Sequence, residues 1–194
     1  SIERLTRKEG ALKLGPTLDQ VTESPLQLQL IQAIPRSRTM DLIVQKATEL
    51  GTISIQPITC SRSFRPSTSV VARKWISRWQ KIASEASNQS GRARVPRIEP
   101  IVPFEQILEF EKSTTVGYVF WERNQDLPFR NLTQDSEIEI KLLIGPEGGL
   151  TESEVDLARA AGWSCVSLGS RILRCETAAL VALTLIQHHW GDLG

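Results

Sequence analysis

Along this chain the apolar positions alternate between a period of two and a period of three to four, and each change marks a new element. Leu26, Leu28 and Leu30 alternate with Gln27 and Gln29, and residues 31–34 continue the strand into Pro35. A strand with one wet face is predicted there. Leu42, Ile43, Ala47 and Leu50 recur at helical spacing, predicting a helix over 41–50 with Thr39 as its cap and Gly51 just past its end. Ile53, Ile55 and Ile58 form a second strand. Two strands joined by a single helix make a parallel βαβ unit. Val71, Trp75, Trp79, Ile82 and Ala86 then put one apolar stripe on a helix over 70–89, with the tryptophans facing the core. Residues 98–110 hold a short extended piece and a short helix, and 116–121 are a third strand, followed by an exposed stretch over 125–136. A central strand at 142–144, a helix over 151–161 stopped by Gly162, and a strand over 163–168 complete the alternation. The last helix, 176–190, is apolar on nearly all sides, so it is buried in the fold or against a second copy.

Two turns within this pattern are candidates for chemistry. The first follows the central strand, in Ile144-Gly145-Pro146-Glu147-Gly148-Gly149-Leu150-Thr151, where Thr151 and Glu154 have the spacing of a capping box. A turn from the carboxyl end of a parallel strand into a helix start is where open α/β sheets bind ligands. The second, Leu168-Gly169-Ser170-Arg171-Ile172-Leu173-Arg174-Cys175-Glu176-Thr177, repeats that arrangement one unit later. The third strand brings Glu122 to the same edge, so the three turns are expected to share one pocket. They contain neither GxxxxGK[ST] nor GxGxxG, which excludes a Walker phosphate cradle and the dinucleotide fingerprint. Close backbone approach at Gly145, Gly148, Gly149 and Gly169, beside apolar Leu143, Leu168, Ile172 and Leu173, suits a flat heteroaromatic ligand held by main-chain hydrogen bonds.

Composition narrows the class. With 194 residues, 40% of them hydrophobic and 23% charged, the chain can bury one sizeable core and has the make-up of a soluble globular protein. No apolar run approaches the roughly 20 residues of a membrane span, so a cytoplasmic location without membrane contact is expected. Cys60, Cys165 and Cys175 show no CxxC spacing and no Cys/His cluster, so neither a disulfide framework nor a metal site is expected. Cys165 reads as a buried thiol, Cys175 as a neighbour of the ligand that is not a nucleophile, and His188 and His189 as surface or interface residues.

The net charge of +1 conceals a segregation, because residues 61–97 hold nine basic side chains against Glu85 alone. A solvated face normally mixes its signs. An unmixed basic stretch points to a polyanion, and Arg36, Arg62, Arg65, Arg92 and Arg94 are the candidate phosphate contacts of a nucleic acid.

Five segments in order carry a resemblance. They are Gln45-Lys46-Ala47-Thr48-Glu49-Leu50-Gly51, Arg78-Trp79-Gln80-Lys81-Ile82-Ala83, Glu85-Ala86-Ser87-Asn88-Gln89-Ser90-Gly91-Arg92, and the two turns above. Together they resemble the RsmE family of 16S ribosomal RNA uridine methyltransferases. The resemblance implies a SPOUT-type parallel α/β domain with a C-terminal trefoil knot, S-adenosylmethionine as methyl donor, an obligate homodimer, and ribosomal RNA or the small ribosomal subunit as partner. It also implies an N-terminal PUA-like β domain. Residues 1–24, polar and with a turn at Gly15-Pro16, are expected to be the end of that domain, most of which lies outside a sequence beginning at Ser1; residues 25–194 are expected to be the methyltransferase domain.

Carried over by motif, Glu122, Leu143, Ile144, Gly145, Gly148, Gly149, Leu168, Gly169, Ile172, Leu173 and Thr177 would hold the cofactor. Arg174 and Glu176 would stand where it meets the target base. Uracil N3 must lose a proton before it can be methylated, so Arg174 is a candidate stabiliser of the resulting anion or else an anchor for its loop. Glu176 is a candidate base, or simply an acid favoured at a helix start. Two alternatives remain open on the residues alone: a non-catalytic RNA-binding protein on this fold, and a 2′-O-ribose methyltransferase.

Overall fold

In the computed structural model, which describes residues 2–5, 10–12, 22–109, 113–122 and 139–194, the apolar runs assemble into one parallel sheet. The expected turn at Gly15-Pro16 and the exposed stretch 125–136 lie outside the described residues. β1 (Ile2–Leu5) and β2 (Gly10–Leu12) pair antiparallel in a sheet of their own. The main sheet contains β3 (Gln27–Ala33), β4 (Ser54–Thr59), β5 (Arg97–Ile98), β6 (Val102–Pro103), β7 (Thr115–Phe120), β8 (Glu139–Ile144) and β9 (Ser164–Val166). Their order is β5-β4-β3-β8-β7-β9, with β6 also on β4, and every pairing is parallel.

A parallel sheet must be covered on both faces. On one face Leu28, Leu30, Ile140 and Leu142 pack with α1 (Thr39–Glu49), α2 (Ser69–Ser90) and α4 (Cys175–Trp190), through Ile43, Ala47, Trp79, Ala83, Leu183 and Ile186. The alternate residues Ile31, Ala33, Ile58, Val119 and Leu143 join Val155 and Ala158 of α3 (Glu152–Ala160), with Phe104 from a 3₁₀ turn and Trp163. Leu28, Leu30 and Leu142 are fully buried, each stabilising the fold by roughly 1.5–3 kcal/mol relative to exposure.

Two expectations change in this light. β3 has a wet face only at its start, where Gln27 is exposed; Gln29 is half-buried and donates to the Ser54 hydroxyl at 2.9 Å, and both faces are covered from Leu30 onward. Neighbours on either side, β4 and β8, explain the difference. Thr39 does not cap α1 either: it is the first helical residue, and Arg38 occupies the cap position without a side-chain hydrogen bond. Gly51 follows that helix with φ +82°, as its position predicted.

Arg92 corrects a functional expectation. Its side chain is only 4% exposed and pairs with Glu23 at 2.6 Å, while Nη1 donates to the carbonyls of Thr48 and Thr52 at 2.8 and 2.9 Å. Its fork satisfies the carbonyls around the end of α1 and fastens the segment entering β3, so its charge is consumed inside the protein rather than offered to a phosphate. Burial would raise the Glu23 carboxyl, but Arg92 and the Arg94 backbone N–H outweigh it and hold the group below the usual carboxylate range. Glu23 therefore binds its proton more weakly folded than unfolded. Its stabilisation is complete above the unfolded value and is lost as the pH falls through the folded one. Arg92→Ala is expected to lower stability by about 3–5 kcal/mol, the cost of removing one partner of a buried pair. Urea denaturation at neutral and acid pH checks this: the gap between the two proteins should narrow as Glu23 protonates.

Candidate active site

The parallel arrangement delivers the ends of β7, β8 and β9 to one edge, where their turns enclose a cleft of about 720 Å³ including its open mouth. Residues of the expected set that line it are Glu122, Ile144, Gly145, Gly148, Gly149, Leu168, Gly169, Ile172 and Leu173. Leu143 does not; it is fully buried and points into the core on the α3 side, as the residue between Leu142 and Ile144 in a strand must. Thr177 is exposed and lies outside the lining. Arg174 is the N-cap residue of α4 with an exposed side chain, between lining residues Leu173 and Cys175; Glu176 is half-buried one step into the helix.

The turn after β8 is fastened from several sides. Thr151 and Glu154 form the capping box, the Thr151 N–H donating to Glu154 at 2.8 Å and the Glu154 N–H to the Thr151 hydroxyl at 3.2 Å. The same carboxylate accepts the Ser61 N–H at 2.8 Å, joining the turn after β4 to α3. Burial alone would raise this acid; the Ser61 and Thr151 donors prevail and lower it. Glu147 accepts the Arg36 N–H at 2.7 Å, and Arg62 donates to the Gly148 carbonyl at 2.8 Å.

Two glycines make the cleft possible. Gly149 has φ +66°, and a Cβ there would stand 2.9 Å from Glu122 Oε1, so this backbone passes directly against the acid. Gly169 has φ +113°, a conformation that side-chain-bearing residues rarely adopt. Around these the walls mix apolar Phe120, Ile144, Leu168 and Leu173 with Glu122, Glu147 and Arg171, and Ile172 stands 83% exposed at the rim. Trp121 also lines the cleft; its indole N–H is buried without a hydrogen-bond partner among the described residues, and the Arg159 guanidinium lies 5.7 Å from its ring centroid. Walls that mix apolar and charged side chains around glycine-bounded backbone fit a heteroaromatic ligand bearing polar atoms, such as a nucleoside.

Several lining residues stand outside the expected cofactor set: Phe120, Trp121, Pro146, Glu147 and Arg171; Cys175, expected beside the ligand, lines the cleft as well. Glu147 stood inside the glycine turn and could have been found by its sequence position alone. Cys175 is buried, and its S–H donates to Glu176 at 3.4 Å. Burial first, then that hydrogen bond and the charges of Glu147 and Glu176, push its thiol up to about 12. As a neutral thiol it is a weak nucleophile. Among the described residues no group of three or more metal-ligating side chains converges, and no helix is long and apolar enough to cross a membrane.

A cleft at the carboxyl edge of a parallel sheet defines an α/β ligand-binding domain, and its class is given by the RNA methyltransferase domain family, whose sequence model matches residues 22–187. Ribosomal RNA small subunit methyltransferase E of Bacillus subtilis is 36% identical over 173 residues, covering 86% of this chain and 67% of that protein. The Synechocystis protein of the same name is 35% identical over 181 residues, covering 91% and 58%. The chain thus spans about three fifths to two thirds of these relatives' lengths. A crystal structure of the Neisseria gonorrhoeae ribosomal RNA small subunit methyltransferase E bound to S-adenosyl methionine superposes with a TM-score of 0.82 at 37% identity, over 89% of this chain and 70% of that one. The chain belongs to the RNA methyltransferase family of which these ribosomal RNA small subunit methyltransferases E are members.

The state of Cys175 is open to direct measurement. In the folded protein at pH 8 it should alkylate with iodoacetamide at least about a hundredfold more slowly than a free thiol, given so small a thiolate fraction. Mass spectrometry after timed quenching would show this, and unfolding in urea should abolish the protection.

Proposed function

We propose that the chain is the catalytic part of an S-adenosylmethionine-dependent methyltransferase that modifies N3 of a uridine in small-subunit (16S) ribosomal RNA. The observation that carries the reading is the three-turn cleft, in a chain whose family modifies RNA. Glu122, Gly145, Gly148, Gly149, Leu168, Gly169, Ile172 and Leu173 would hold the cofactor, with backbone groups of the two glycine turns meeting its polar atoms. When bound, the cofactor supplies a sulfonium-activated methyl group. The chain's own residues then have two tasks. They must orient the uracil and ease loss of its N3 proton, which leaves negative charge on the flanking ring oxygens. Arg174, exposed at the start of α4 beside the cleft, can meet that charge, and Glu176 is the nearby candidate to take the proton. Cys175, kept neutral, does not compete as a nucleophile.

In the same reading β8 enters between β3 and β7, α4 returns to pack on α1, and the C-terminal segment forms a SPOUT-type trefoil knot. The β1–β2 pair is the end of a PUA-like RNA-binding domain, and residues 25–194 are the methyltransferase domain. Exposed Arg36, Arg62, Arg65 and Arg94 meet RNA phosphates, and the half-buried Leu180, Val181 and Leu185 of α4 meet a second copy in a homodimer. A cytoplasmic site of action follows from the substrate.

Calorimetric titration of S-adenosylmethionine into the protein tests the cleft. Binding is expected, and Gly149→Val should abolish it by combining a disfavoured φ with a clash against Glu122; equal affinity in both proteins would remove the cleft as the site. For Arg174→Ala, methylation of a 16S-derived RNA should fall by roughly a hundredfold, the scale of losing one charge-stabilising group, with cofactor affinity nearly unchanged. Parallel loss of cofactor affinity would make Arg174 an anchor. Methylation that persists on a 2′-O-methylated target would separate N3 from ribose chemistry.

A further inference from the structure

A second cleft, of about 580 Å³ including its mouth, opens on the other half of the same sheet edge. Its walls include Ile34 and Pro35 from the β3–α1 connection, Met40 from the start of α1, Phe64 from the turn after β4, and Trp75 and Trp79 from α2. Phe64 is 49% exposed and stacks on Trp75, with ring centroids 5.7 Å apart and an interplanar angle of 24°; Trp75 in turn lies 5.9 Å from Trp79. Phe64 needs no such exposure to hold its turn, because its backbone N–H already donates to the Ile34 carbonyl at 2.9 Å. Half of a phenylalanine ring is thus presented to solvent on an aromatic support.

The rim around this ladder is cationic. Arg38 lines the cleft, and Arg36, Arg62 and Arg65 sit in the same two connections; all four are exposed, and none has a carboxylate at ion-pair distance among the described residues. The acid inside the cleft, Asp41, is already engaged by the Arg78 fork at 3.0 and 2.6 Å. Free cations beside an exposed stacked ring are the two halves of a single-stranded nucleic-acid site: the charges track phosphates, and the ring receives a base.

Position joins this cleft to the first. Strands β4 and β3 feed it, and β8, next in the sheet, feeds the cleft proposed for the cofactor. The connections touch directly, through the Arg36 N–H on Glu147 and the Arg62 guanidinium on the Gly148 carbonyl. Adjacent strands lie about 4.8 Å apart, so the connections leaving the neighbouring strands β3 and β8 stand side by side at this edge.

We propose that the Phe64–Trp75 cleft is a subsite for an unpaired RNA base flanking the target nucleotide, stacked on Phe64 while Arg36 and Arg62 hold the intervening phosphates. This rests on the RNA-modifying reading above and adds a specific base pocket to it. Such a subsite would select unpaired over duplex RNA, because a base in a helix has no free face to stack.

Binding of a short fluorescein-labelled oligouridylate, followed by anisotropy, tests it in the whole chain. Phe64→Ala should weaken binding roughly tenfold and Phe64→Trp should restore it, since stacking tolerates any aromatic ring. The loss from Phe64→Ala should be the same factor at low and high salt, whereas Arg36→Ala should lower the salt slope by roughly 0.7. Cofactor affinity and circular dichroism should stay unchanged in Phe64→Ala, showing that neither the fold nor the first cleft has been disturbed. Unaltered oligouridylate affinity in Phe64→Ala would overturn the subsite while leaving the proposed function standing; absence of both cofactor and RNA binding in the unaltered protein would sink the two together. A drop in oligomeric state by light scattering with Phe64→Ala would also overturn it, assigning the surface to contact between copies.

Discussion

An all-parallel sheet imposes one constraint from which the rest of this structure follows: every strand leaves at the same edge. The chain must therefore cover both faces with helices and must bring all its strand-to-helix turns together along one line. Core and site are consequences of the same geometry. The alternate residues of β3 and β8 divide the apolar interior between α1, α2 and α4 on one side and α3 on the other. Their carbonyl ends place the glycine turn after β8 between the turn after β3 and that after β7.

What keeps those turns from collapsing is a set of polar ties, each spanning elements distant in sequence. The buried Gln32 amide donates to the carbonyls of Ala33 at 2.9 Å and Gly145 at 3.2 Å, holding the ends of two neighbouring strands where the sheet ladder stops. Glu147 takes the Arg36 N–H, Arg62 reaches the Gly148 carbonyl, and Glu154 serves both its own helix cap and the Ser61 N–H. A glycine turn has the freedom to approach a ligand only because its neighbours have removed its freedom to wander. The cleft is thus preorganised through Gln32, Arg36, Ser61, Arg62 and Glu154, partners outside its lining, which is how binding sites on loops keep their geometry.

Much of this was legible in the sequence because periodicity and capping are local signals. The βαβ start, the helix of tryptophans, the Thr151–Glu154 box and the convergence of three turns follow from residues within a few positions of one another. Residues whose role depends on distant partners were not legible. Leu143 was expected to touch the ligand but faces the core, since strand alternation assigns it the opposite side from Ile144. Trp121 enters the cleft only through the way β7 meets β8.

The basic stretch shows the same limit most sharply. Nine cations over 61–97 look alike in sequence, yet the fold sorts them. Arg92 is spent on Glu23, 69 residues away, and on two backbone carbonyls, and Arg78 is spent on Asp41. Arg62 and Arg65, in the turn after β4, stay exposed without a carboxylate partner among the described residues, as do Arg36 and Arg38 in the neighbouring connection after β3. Charge count is a property of the sequence, whereas available charge is a property of the fold. The exposed cations of the turns after β3 and β4 add a positive field at the edge where the clefts open, which favours the approach of a polyanion there.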